Sequence, residues 1–148
     1  MRIFFLLFFI YQSPLLAQNI RIVDGDTIHI NKVKYRFHGM DAPEMKQKCI
    51  YENKEIMCGV LAREELVNKI DNQKVNCKKI TTDRYKRVIA DCFVNGENLS
   101  KHLVRNGYAF AYRRYSKKFI GDEDYAKNQK LGLWKMQFEY PWKYRRNK

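Results

Sequence analysis

The stretch IRIVDGDTIHINKVKYRFHGM, residues 20–40, alternates apolar and polar positions: Ile20 and Ile22, then Ile28 and Ile30, then Val33, Tyr35 and Phe37. A period of two marks strands with one buried face. Asp24-Gly25 and Asn31-Lys32 supply the residue types that reverse a chain, so the stretch predicts a three-strand meander. Downstream, Val60, Ala62, Leu66, Val67 and Ile70 approximate one apolar face of a helix over about 59–70, with Arg63, Glu64, Glu65 and Lys69 on the wet side. KVNCKKI (74–80) and RVIADCFV (87–94) read as two more strands, joined by the polar turn TTDRYK. Asn98 is placed to cap a short helix through Arg105, stopped by Asn106-Gly107. A last helix is expected over about 122–131; its acidic start suits the helix dipole, so Asp122, Glu123 and Asp124 need no metal to explain them. Three strands, a helix, two strands and two helices predict an α+β fold dominated by β, a five-stranded barrel of the OB type, which often binds oligonucleotides.

At 148 residues the chain has room for one domain with a real core. Its start, MRIFFLLFFIYQSPLLAQ, sets a basic Arg2 before an apolar run and small Ala17, which is the order of a secretory signal peptide. The apolar run from Ile3 to Tyr11 falls short of the roughly 20 residues a spanning helix needs. We therefore expect a signal peptide over 1–17, cut after Ala17, and one domain over 18–148 ending in a short basic tail, with the product secreted or periplasmic. Tyr140, Trp142 and Tyr144 could stack on nucleic acid, but they read better as a strap packed on the barrel before that tail. Losing Arg2 takes the formal net charge from +13 to about +12, enough to attract polyanions over long range. Cys49, Cys58, Cys77 and Cys92 all follow the leader, and an even count in an exported chain favours disulfides. No C-x-x-C spacing points to zinc. Pairing Cys49 with Cys58 and Cys77 with Cys92 closes two short loops, and the second joins neighbouring strands.

In so basic a chain the placement of acid is informative. Asp26 enters the second strand, while Asp41 and Glu44 lie just beyond the third, so antiparallel pairing brings their ends together. Oxygen donors alone suit a hard divalent cation, calcium or magnesium. An EF-hand is excluded, because the twelfth loop position counted from Asp24 is Tyr35 rather than glutamate. Arg36 on the third strand and Arg87 at the start of the fifth add two guanidiniums. That set matches phosphodiester hydrolysis: a cation polarises a phosphoryl oxygen, arginines hold the charge that grows, and a free carboxylate takes a proton from water. His38 shares strand parity with Arg36, but a lone histidine is more often a packing residue.

The segments VDGDTIHI, YRFHGMDAPE, TDRYKRVIADC, LVRNGYAFAYRRYS and KLGLW, in this order and at about this spacing, resemble the staphylococcal nuclease (thermonuclease) family, and in particular its exported bacterial members with paired cysteines. The resemblance runs from about Ile20 to Trp134. It implies an OB-type barrel with three helices and a calcium-dependent (Ca2+) endonuclease that cuts DNA and RNA to 3′-phosphorylated products, working as a monomer without a stable protein partner. By the same resemblance Asp26, Asp41 and the backbone carbonyl of Ala42 hold the metal, Glu44 is the general base, and Arg36 and Arg87 grip the phosphate. Arg84 and Tyr85 would meet a terminal phosphate, and Tyr112 and Tyr115 the face of a base. One departure stands out: Lys86 occupies the glycine of the usual D-x-Y-G-R, so the turn carrying Tyr85 and Arg87 is strained if that position needs a positive φ. The alternative reading, a barrel that binds nucleic acid without cutting it, expects charged site residues to be lost, and none of Asp26, Arg36, Asp41, Glu44 or Arg87 is. A basic protein that only recognises an anionic surface gives no reason for the acids to converge.

Overall fold

The computed structural model describes residues 18–148, and the leader read over 1–17 lies outside them. In chain order the elements are β1 (Ile20–Ile22), β2 (Thr27–Ile30), β3 (Val33–Phe37), β4 (Met40–Asp41), β5 (Lys48–Tyr51), β6 (Lys54–Met57), α1 (Cys58–Ile70), β7 (Val75–Thr82), β8 (Val88–Val94), β9 (Glu97–Asn98), α2 (Leu99–Arg105), β10 (Phe110–Ala111), α3 (Ile120–Asn128) and α4 (Pro141–Arg146). A short 3₁₀ turn, Gly132–Lys135, precedes α4. The fold is α+β and mostly strand.

The meander forms as its alternation predicts. β1, β2 and β3 pair antiparallel with Ile22 opposite Ile28 and Thr27 opposite Arg36. Asn31 and Lys32 both take left-handed φ, 48° and 72°, which lets two residues reverse the chain. Ile28, Ile30 and Phe37 are buried, whereas Val33, beside the reversal, is 42 % exposed. β3 then pairs parallel with β8, and β8 antiparallel with β7, giving the order β1-β2-β3-β8-β7 with β9 alongside β8. Cys77 stands opposite Cys92 in the β7–β8 register, and both expected disulfides, Cys49–Cys58 and Cys77–Cys92, are present. Ile28, Phe37 and Val94 of the sheet meet Leu66 of α1 and Leu99 and Leu103 of α2 in one core, each large side chain contributing roughly 1.5–3 kcal/mol on burial.

Three features differ from the expected closed barrel with three helices. The sheet is open, because β1 and β7 share no ladder. A side chain bridges them instead: the Gln18 amide donates to the Val75 carbonyl and accepts from its N–H, both at 2.8 Å. β1 is three residues long, and Arg63 of α1 donates to the Ile22 carbonyl at 3.1 Å, so a helix side chain takes a place a closing strand would need. The described residues also hold a fourth helix, α4, which a proline at its first position starts. Finally, Cys49 to Cys58 is a β5–β6 hairpin rather than a plain loop, with Cys49 opposite Ile56.

The first two helices lie close to expectation: α1 spans Cys58–Ile70, and the Asn98 side chain caps α2 by accepting from the Lys101 N–H at 3.0 Å. α3 begins two residues earlier than expected, at Ile120. Its Glu123 is buried and accepts from the Ala111 N–H at 3.0 Å, so this acid holds β10 in place. β10 in turn pairs with β4, with Phe110 opposite Asp41. A second cluster gathers Phe110, Leu133, Trp134, Phe138, Tyr140 and Trp142 around the Cys49–Cys58 bridge and anchors the C-terminal segment.

Candidate active site

The β2–β3 register sets Arg36 across from Thr27, next to Asp26, and the turn through Gly39 returns the chain as β4 with Asp41. Arg36 spans the two acids: Nη1 lies 2.5 Å from Asp26 Oδ1 and Nη2 2.7 Å from Asp41 Oδ1. Asp26 is held further by the Ala42 N–H, which donates to Oδ2 at 3.0 Å, and by the Thr27 hydroxyl at 2.9 Å. Behind it Asp24 Oδ1 accepts from the Asp26 N–H at 3.1 Å. Asp26 is 3 % exposed and Asp41 0 %, so the pair forms a sealed floor. Burial pushes the Asp24 carboxyl up to about 7, and the Asp26 charge adds to the push. Burial also raises Asp41, hydrogen bonds from Arg145 pull it back, and the Asp26 charge opposes them.

Above this floor lies an open cleft of about 1120 Å³ lined by Arg36, Glu44 and Arg87, and farther out by Arg84, Tyr85, Tyr112 and Tyr115. Glu44 stands in the loop after Pro43, and its backbone is fixed by Gln47: the Glu44 N–H donates to Gln47 Oε1 at 3.2 Å, and the Gln47 N–H donates to the Glu44 carbonyl at 2.8 Å. Gln47 is buried and donates through Nε2 to the Glu139 carbonyl at 2.6 Å. Gly59, in the first turn of α1, packs directly on the Glu44 peptide.

Arg87 is aimed by Asp83, which accepts from its backbone N–H at 2.9 Å and from Nε at 2.8 Å. Burial works against the Asp83 charge, but the hydrogen bonds from Arg87 hold its carboxyl below the usual range. Lys86 does take a left-handed φ of 62°, so the strain expected at this position is present. Tyr85 lies under the guanidiniums of Arg84 and Arg87, 4.9 and 5.4 Å from its ring centre. Tyr112 and Tyr115 meet edge to face at 4.9 Å. Of the histidines, His38 lines the cleft with Nδ1 3.8 Å from Asp91, too far for a hydrogen bond, and His102 pairs with Glu65 at 2.7 Å.

Arg36, Glu44, Arg84, Tyr85, Arg87, Tyr112 and Tyr115 thus line one cleft, while Asp26, Asp41 and Ala42 are buried behind it; two side chains of the C-terminal strap join them in places the sequence reading did not assign. Arg145 of α4 reaches Asp41 through both nitrogens, 2.7 and 3.1 Å, and Glu44 at 3.0 Å, where a solvated basic tail was expected. Trp142 stacks flat on Tyr112, ring centres 5.3 Å apart at 5°. The signal was available: Pro141 is a helix-start residue, and positions 142 and 145 share a face once PWKYRR is read as a helix.

Among the described residues no helix is long and apolar enough to cross a membrane. The family profile described as "Staphylococcal nuclease homologue" matches residues 34–136. The chain is 31 % identical to "Micrococcal nuclease" of Shigella flexneri, over 86 % of this chain and 78 % of that protein, and 30 % identical to "Protein ParB" of Escherichia coli, over 90 % and 81 %. It is 27 % identical to "Staphylococcal-like nuclease CAN1" of Arabidopsis thaliana over 92 % of this chain but spans 41 % of that longer protein. With the profile covering well over half its length, around a cleft that joins paired acids to two arginines, the chain belongs to the staphylococcal nuclease family.

Proposed function

We propose that this protein is an exported, calcium-dependent endonuclease that hydrolyses phosphodiester bonds of DNA and RNA and leaves the phosphate on the 3′ oxygen. The observation that carries the reading is one cleft with Glu44, Arg36 and Arg87 on its walls and Asp26 and Asp41 buried beneath Arg36. Among the described residues no three His, Cys, Asp or Glu side chains form a ready-made cage for a metal. The donors do fit a hard ion that keeps much of its water: they are all oxygen, and burial together with the Asp26 charge disfavours the charged forms of Asp24 and Asp41, which a cation would relieve. Asp26, Asp41 and the Ala42 carbonyl would hold it, and it would supply polarisation of a phosphoryl oxygen.

Glu44, the acid closest to solvent, takes a proton from the attacking water. Water adds to phosphorus as the P–O5′ bond breaks, and the departing 5′ oxygen takes up a proton from solvent water in the open cleft. Arg36 and Arg87 donate to the equatorial oxygens as their charge grows, each pre-aimed by a carboxylate, so little reorganisation is needed. Arg84 and Tyr85 bind a neighbouring phosphate, and Tyr112 and Tyr115 offer ring faces to a base.

Both disulfides agree with folding in an oxidising compartment, which supports a cleaved leader over 1–17 and a secreted or periplasmic monomer. The OB-type description rests on the family and on the strand order, with Gln18 completing the curl of the sheet. Purified 18–148 incubated with single-stranded DNA or RNA tests the reading. Calcium should permit digestion to 3′-phosphate ends and chelator should stop it. Protein that binds oligonucleotide under every cation tried, yet never cuts, is a binding module instead.

A further inference from the structure

The C-terminal helix α4 places a cation on the acids and a flat ring on a tyrosine. Arg145 donates to both oxygens of Asp41, 2.7 Å to Oδ2 and 3.1 Å to Oδ1, and to Glu44 Oε1 at 3.0 Å. Asp41 Oδ1 also accepts from Arg36, so its two oxygens are already engaged by two guanidiniums. With Asp41 0 % exposed, no ion can reach it from the cleft unless a side chain withdraws. Arg36 belongs to β3 in the middle of the sheet, while Arg145, 35 % exposed, is in the last turn of a six-residue helix. A divalent ion against Asp41 would also stand beside that guanidinium and be repelled by it.

The second contact lies one helical turn away. Trp142 covers a face of Tyr112 with ring centres 5.3 Å apart and planes 5° from parallel, and stacks on Tyr140 at 4.6 Å. A nucleobase that used this face of Tyr112 would have to replace the indole. Tyr140 holds the start of α4 in the aromatic cluster around Phe110 and Pro141 is buried beside it, so the far end of the helix can swing out at the cost of the Trp142 contacts at the edge of that cluster.

We propose that α4 is a self-inhibitory strap, in which Arg145 competes with the activating cation for Asp41 and Glu44 while Trp142 competes with a nucleobase for Tyr112. This rests on the nuclease reading above. Cation and nucleic acid then bind cooperatively, because each removes one of the contacts that hold the strap down and leaves the bond from the Tyr144 hydroxyl to the Lys46 carbonyl, 3.2 Å, with less support.

Calcium titration calorimetry on wild type and Arg145→Gln, without any substrate, tests the first contact. The variant should bind calcium about tenfold more tightly. Hydrogen exchange on the unaltered protein tests the strap itself, with calcium alone and with calcium plus a short phosphorothioate oligothymidylate. The Lys143, Tyr144 and Asn147 amides, which bond within α4, should lose protection while α2 keeps its own. Calcium affinity unchanged by Arg145→Gln, or α4 amides equally protected with both ligands bound, overturns the proposal even if the protein cuts DNA. A variant that binds calcium as wild type does but cuts more slowly would make Arg145 a substrate ligand, which also overturns it. A protein that never cuts yet shows both expected results keeps the strap and loses the nuclease.

Discussion

Gly59→Ala sets two effects of opposite sign against each other. Gly59 lies inside α1, where alanine is favoured over glycine by about 1 kcal/mol. A Cβ built there, however, falls 1.9 Å from the Glu44 carbonyl oxygen, 2.4 Å from its carbon and 2.7 Å from the Met45 Cα. These are backbone atoms and cannot rotate away, so the peptide carrying the proposed base has to retreat by about 1 Å, and overpacking of this kind costs about 1–3 kcal/mol. Net stability should fall by up to about 2 kcal/mol, read by urea denaturation. Turnover should fall more steeply, by about 100-fold, since a shift of about 1 Å in a catalytic group costs that much. Asp26 lies just before β2 and Asp41 in β4, neither of them against Gly59, so calcium binding should change little. Gly121→Ala is the control: beyond its chain neighbours and its own helix backbone no atom lies within 4 Å of its Cβ, and the change should stabilise by up to about 1 kcal/mol. If Gly59→Ala behaves like the control, more stable and equally active, then α1 does not brace Glu44 and the reasoning fails.

Other perturbations address the loops that aim the site. Serine at both Cys49 and Cys58, with Cys77–Cys92 intact, should lower stability by about 2–3 kcal/mol for a separation of 9 residues and reduce turnover by loosening the hairpin behind Glu44; unchanged turnover would remove the hairpin from the mechanism. Lys86→Gly should relieve left-handed strain and stabilise by about 1 kcal/mol, since φ is 62° there; a loss of stability in thermal melts would contradict that. Asp83 has its folded pKa held below the unfolded value, so its contribution is present above about pH 4 and disappears as pH falls through the folded value. The stability gap between wild type and Asp83→Asn should therefore exist at pH 7 and close in strong acid; a gap independent of pH would mean that the carboxylate charge is not what holds the Arg87 turn.

The legible parts of this sequence are those in which local chemistry and tertiary packing agree. Period-two alternation from Ile20 to Phe37 fixed which faces turn inward, and that register brings Asp26, Arg36 and Asp41 together. The Asn98 cap likewise works through one hydrogen bond three residues away. The β5–β6 hairpin was not legible because its reversal uses Glu52 and Asn53, both left-handed at 49° and 61°, without the glycine that usually announces such a turn. Barrel closure was misjudged because the edges meet through one glutamine side chain, which no hydrophobic pattern encodes. Arg145 was missed for a related reason. A run of basic residues reads as solvated charge unless the acids facing it are known, and Asp41 is 104 residues away in the chain.

In the proposed reaction Glu44 receives the proton of the attacking water, in a cleft whose grip on the phosphate comes from elsewhere. Single-turnover cleavage of a labelled oligonucleotide at saturating calcium, with its affinity measured in parallel, compares wild type and Glu44→Gln directly. Cleavage by the variant should be at least about 100-fold slower, with oligonucleotide affinity retained. Cleavage at the wild-type rate would contradict it.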